Sequence, residues 1–126
     1  MSVKWRILRN QETGAILLDR VRLCISFWCH FKGLQLAPPL PDNQGLLFVT
    51  DNEGTSAKAI HMFFMRFSIG VVWLDANGRV VDKKLAKPWR PYYAPIKPAQ
   101  FYIEASPAIL NHVTIGDILR FDEETS

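Results

Sequence analysis

The run His61-Met62-Phe63-Phe64-Met65-Arg66-Phe67-Ser68-Ile69-Gly70-Val71-Val72-Trp73-Leu74-Asp75-Ala76-Asn77-Gly78-Arg79-Val80-Val81 is nearly all apolar as far as Leu74, with one cation, Arg66, inside it. After the turn at Asp75-Ala76-Asn77-Gly78 the stretch starts a second β-like run. Asp75-Ala76-Asn77-Gly78 then reads as a type I turn with Gly78 in the left-handed region, a common hairpin loop. Arg79–Lys83 is expected to pair back on Ile69–Leu74. The run Ile60–Leu74 is too short to span a bilayer and carries Arg66, so no membrane span is expected.

Outward from this hairpin the chain reads as many short strands. Val3–Arg9 alternates and predicts a strand, Asn10–Gly14 a turn, and Ala15–Leu23 a second strand. Ser26 and Gly33 suit the two ends of a short helix, Phe27–Lys32. Ala37–Gly45 holds three prolines, which remove donors and fix φ, so it is irregular. Leu46–Thr50 predicts a strand and Asp51–Ala57 a polar loop. Lys58–Phe67 predicts a strand that kinks at Ser68 or Gly70 before Ile69–Leu74. Lys84–Lys97 is a proline- and aromatic-rich loop, Gln100–Ala105 a strand, and Ser106-Pro107 the start of a helical turn. Ile118–Phe121 predicts a last strand. The expectation is a mainly β fold, a compact β-sandwich or barrel of short strands with one or two short helices.

One domain accounts for all 126 residues, a length that buries roughly two-thirds of its surface on folding without help from metal or disulfides. Charge is uneven along the chain. Residues 1–32 carry +4, 33–78 carry −2, 79–98 carry +5 and 99–126 carry −4. A +5 block steers anions weakly, and it falls short of a nucleic-acid footprint, which needs a basic face and a reading element. The Met1–Arg6 start leads into no long apolar stretch, so a cytoplasmic location without a signal peptide is expected. Cys24 and Cys29 are the two cysteines, and without a secretion signal the expectation is a reduced, buried pair. Cys24, Cys29 and His30 form a cluster too sparse for zinc, since His61 and His112 are distant, so no metal and no cofactor is assigned.

The motif His61-x-Phe63-Phe64-Met65-Arg66-Phe67-x-Ile69-x-Val71-Val72-x-Leu74-Asp75-x-x-Gly78-x-Val80-Val81 resembles the family known as domain of unknown function 192. Gly33-Leu34, Leu40-Pro41 and Gly45-Leu46-Leu47-Phe48 look like its first half. Pro88-Trp89-Arg90, Ile103-Glu104 and Ile115-Gly116-Asp117 look like its second. The likeness spans about residues 3–122. It implies a compact, mostly β domain found in bacteria and archaea, and it assigns no activity. Four departures stand out: Ser68 where the family has proline, Gly70 where it has aspartate, His30 where it often has arginine, and Gln35 where it often has methionine. On a regular strand positions 66 and 70 share a face, so an aspartate at 70 could neutralise Arg66. Gly70 offers nothing, which leaves Arg66 to another partner or to water.

The candidate ligand-binding residues are Arg66, His61, Trp89, Arg90, Tyr92 and Glu104. Arg66 reads as an anion clamp or, more simply, as a side chain that snorkels over the core or pairs with Glu104. His61 and Glu104 are acid or base candidates, or plain hydrogen-bonded strand residues. Trp89, Arg90 and Tyr92 sit on a proline-stiffened loop able to grip a ligand or lie as a lid on the core. The dinucleotide, Walker, Gly-x-Ser-x-Gly and His-Glu-x-x-His motifs are absent, and no catalytic residue is assigned. The leading expectation is a non-catalytic binding module for an anionic small ligand or a protein partner. One alternative is an enzyme acting on a small polar substrate through His61, Arg66 and Glu104. The other is weak binding of single-stranded nucleic acid, which draws on basic and aromatic residues together.

Overall fold

A computed structural model describes residues 5–24, 40–54, 62, 65–89 and 93–123, with the backbone alone at 50–54. Seven strands form one sheet in the order β5-β4-β6-β3-β2-β1-β7. They are β1 (Trp5–Asn10), β2 (Ile16–Cys24), β3 (Gln44–Gly54), β4 (Ile69–Leu74), β5 (Val80–Ala86), β6 (Ala99–Ala105) and β7 (Leu119–Glu123). All described strand pairs are antiparallel except β2 with β3, which run parallel. The chain is mainly β, as its alternating and β-branched runs require.

The two edge strands meet at one corner. Arg79 and Ile118 form a bridge. The Leu119 amide donates to the Gly78 carbonyl, and the Val80 amide to that of Asp117. This curling separates two apolar faces. The inner cluster draws Leu8, Leu18, Val21, Leu47, Val72, Leu74, Val80, Ile103 and Leu119 from all seven strands, which only the concave side of a closing sheet can do. A 3₁₀ helix, Pro107–Asn111, packs Ile109 into that cluster. Ser106 caps it by accepting the Ala108 amide, and proline follows at the first helical position. Lys83 ties its end to the barrel, its Nζ donating to the carbonyls of Leu110 and Val113.

The outer cluster holds Leu46, Phe48, Ile69, Val71, Trp73 and Tyr102, covered by Met62 and Met65. Phe48 and Tyr102 stack with ring centroids 4.6 Å apart. Lys84 lies over the Trp73 ring and donates to the Ala94 carbonyl, while the Asp82 carboxylate accepts the Ile96 amide. These contacts hold the 93–96 segment alongside β5.

Several expectations change. Met62 and Met65–Phe67, expected within a strand Lys58–Phe67, are not in one, whereas Ile69–Leu74 forms β4 as expected. β3 extends to Gly54, through part of the expected polar loop, and β5 continues to Ala86 rather than stopping at Lys83. Backbone pairing with β6 and β4 outweighs the polar composition of both segments. Cys24 is fully buried and disulfide-bonded, not reduced. The two cysteines stand five positions apart, a spacing that a bridge can close where a strand ends. Cysteine usage therefore no longer argues for a reducing compartment. The expected helix Phe27–Lys32 lies outside the described residues. No helix among the described residues is long and apolar enough to cross a membrane.

Candidate functional site

Strand β6 lies between β4 and β3, so its central residues are covered from both sides. Glu104 sits directly opposite Val71 on β4 and Leu46 on β3. Strand alternation puts it on the outer face with Tyr102 and Ser106. Only 8 % of Glu104 is exposed. Its carboxyl makes no hydrogen bond or ion pair among the described residues. Burial pushes its pKa up to about 7, because an apolar setting penalises the charged form. Burial and the neighbouring Glu104 together push the Tyr102 hydroxyl well above its ordinary value. A buried carboxyl without a partner is costly, and such groups concentrate at functional sites.

One step along the same face is a cavity of about 280 Å³. Leu40, Phe67, Ile69 and Pro107 supply its apolar walls, with Ala105 behind them. Its polar lining is Asp42, Ser68 and Ser106. The Ser106 hydroxyl donates to Asp42 Oδ1 at 2.6 Å and accepts the Ala108 amide at 3.2 Å. Continuing the β4–β6 register past Gly70 and Ala105 sets Ile69 opposite Ser106. Glu104 and Val71 form the next row on that face.

Of the expected site residues, Arg66, Trp89 and Glu104 lie among the described ones. Glu104 is buried, whereas Arg66 is exposed and makes no ion pair among the described residues. The Arg66–Glu104 pair is not formed. Arg66 precedes β4 rather than lying on it, so the expected shared face with position 70 does not exist. Trp89 is 58 % exposed, with φ +64°, and its amide donates to the Met62 carbonyl at 2.6 Å. Met62 belongs to the cluster that contains Leu46 and Val71, so the 87–89 segment is anchored over the face that holds Glu104. His61, Arg90 and Tyr92 lie outside the described residues, as do His30 and Gln35. Asp42 and Ser106 were not among the expected site residues. Ser106 reads in sequence as a helix cap, which it is, and Asp42 as part of a proline-rich connection. Nothing in either reading signals that they meet.

These features define a class, a small curled seven-stranded β domain with a compact cavity beside a buried carboxyl. The chain belongs to the DUF192 family (uncharacterized ACR), whose model matches residues 8–121. It is 36% identical to a UPF0127 protein of Thermococcus sibiricus over 94% of this chain and 76% of that one. To a UPF0127 protein of Thermococcus kodakarensis it is 38% identical, over 87% and 69% of the two chains. Its fold is similar to that of a candidate transcription regulator from Sinorhizobium meliloti, with TM-score 0.82 and 17% identity, covering 96% of both chains. It is also similar to a protein of unknown function from Novosphingobium aromaticivorans, with TM-score 0.77 and 15% identity, covering 92% of this chain and 83% of that one.

The glycine at position 70 has a packing reason in this chain. A Cβ there would lie 2.6 Å from Ile109 Cγ2 and 3.1 Å from the Ser106 carbonyl. The first carbon of an aspartate would already collide with the 3₁₀ helix. Gly70→Ala should destabilise the fold by about 1–2 kcal/mol, the usual cost of overpacking. Urea denaturation checks this, and an unchanged midpoint would show that the helix shifts without penalty.

Proposed function

We propose that this domain is a non-catalytic binding module that takes a small ligand in the cavity lined by Asp42, Ser68 and Ser106. The observation that carries the reading is the pairing of that cavity with Glu104. A well-packed chain does not ordinarily keep, at the centre of its sheet and beside an opening of small-molecule size, a buried carboxyl that has no partner among the described residues. A protein partner reaching the same face through the exposed Trp89 is the second form of this reading, supported by the exposure of that ring. An acid–base role for His61, Arg66 and Glu104 finds less support, because Arg66 is exposed while Glu104 is buried.

Ser68→Phe should fill the cavity from a half-buried position outside the strands. In a small-fragment screen followed by amide chemical shifts, binders should perturb residues around Asp42, Ser68 and Ser106, and Ser68→Phe should weaken them at least tenfold. Binders that persist unchanged in the filled variant would place the ligand elsewhere and end this reading.

A further inference from the structure

Resting on the binding reading above, we infer that the cavity selects a small organic ammonium ion, with an apolar body against Phe67 and Ile69 and its N–H groups directed at Asp42 and Ser106. Among the described residues that line the cavity, Asp42 alone carries a full charge. Ser106 spends its single hydroxyl proton on Asp42 Oδ1. That bond orients the carboxylate and leaves Oδ2 without a partner among the described residues. Ser106 Oγ accepts one amide and keeps a second lone pair, since a hydroxyl oxygen has two. Ser68 adds a third lining oxygen. An ammonium group offers three donors and no acceptor, which matches this set. A carboxylate or phosphate would face oxygens that mostly present lone pairs.

The surrounding charges point the same way. Glu104, on the same face two residues from Ser106, is a second acidic group in the next row, and its carboxyl makes no ion pair among the described residues. The two lysines of β5 are engaged elsewhere. Lys83 is held by the Leu110 and Val113 carbonyls, and Lys84 by the Ala94 carbonyl and Asp82. Arg66 is exposed and is not part of the lining. Asp42 is exposed, so its carboxylate acts as a surface charge, which still attracts a cation and repels an anion of the same shape.

The test uses three probes of matched shape, benzylammonium, benzyl alcohol and benzoate, titrated into the full chain at pH 7.5 with amide chemical shifts as the readout. Benzylammonium should shift the amides around Asp42, Ser68 and Ser106 and bind at least tenfold more tightly than either other probe. Asp42→Asn, whose amide oxygen can still accept the Ser106 hydroxyl, should remove that tenfold advantage and leave benzyl alcohol unchanged. Ser68→Phe should abolish all three. If benzoate binds these same residues more tightly, the cavity is a ligand site but the ammonium inference fails. If benzylammonium binds equally well to Asp42→Asn, the inference fails as well. If no probe shifts these amides, the cavity reading itself falls.

Discussion

Across the range from pH 4.5 to pH 8, Glu104→Gln should gain roughly 3 kcal/mol of stability relative to the unsubstituted chain. The carboxyl titrates near its ordinary value of 4.5 when unfolded and at about 7 when folded. Between those values the folded state binds the proton that the unfolded state has released, so stability falls as pH rises. Below pH 4.5 both states are protonated, and the neutral acid and the amide differ little. Above about pH 7 both states are ionised and the deficit levels off. A separation of about 2.5 pKa units corresponds to roughly 3 kcal/mol. Only 8 % of the residue is exposed, so solvent screening removes little of it. Urea denaturation of both proteins at a series of pH values reads the difference directly and cancels every other titrating group. Parallel curves would show that the carboxyl is solvated or paired in solution, and would remove the main reason for placing a site beside it.

Gly78→Ala should cost about 3–4 kcal/mol, from left-handed backbone strain added to a steric overlap that must be relieved. Gly78 has φ +83° at the end of the β4–β5 turn. A Cβ there would stand 2.5 Å from the Leu119 carbonyl oxygen. That oxygen is backbone and has no rotamer to change, and the Leu119 amide is itself bonded to the Gly78 carbonyl. Relief must therefore move β7 away from the turn, at the corner where the two edges of the sheet meet. Thermal unfolding should report a clearly lowered midpoint, and faster amide exchange at Leu119 and Val80 would place the damage at that corner. A fall of less than about 1 kcal/mol would mean that ordinary left-handed strain is the whole effect and that the corner contributes little.

The first strand of the hairpin and its turn were legible in the sequence. Ile69–Leu74, the Asp75–Gly78 turn and the left-handed glycine are all local, and the Asp75 carboxylate accepts the Asn77 and Arg79 amides within the same short stretch. The Ser106 cap was legible for the same reason. The extension of β3 and β5 was not, because both continue through polar residues that only a neighbouring strand holds extended. Arg66 was misplaced on a shared strand face because an apolar run looks alike whether it forms a strand or covers one. Glu104 drew attention as a family-like residue, but its burial depends on Leu46 and Val71, which are distant in the chain.

Local chemistry in the sequence therefore determined the strand content, the turn and the helix cap, since each depends on backbone preferences within a few residues. Long-range pairing decided the candidate site. It closed the two edges against each other and set a carboxyl between two apolar strands. It also brought Asp42 to Ser106 across 64 positions of chain. Whether a carboxyl is an ordinary solvated group or a buried one with a raised pKa depends on what surrounds it, and in this protein the surroundings are assembled only by the closing of the sheet.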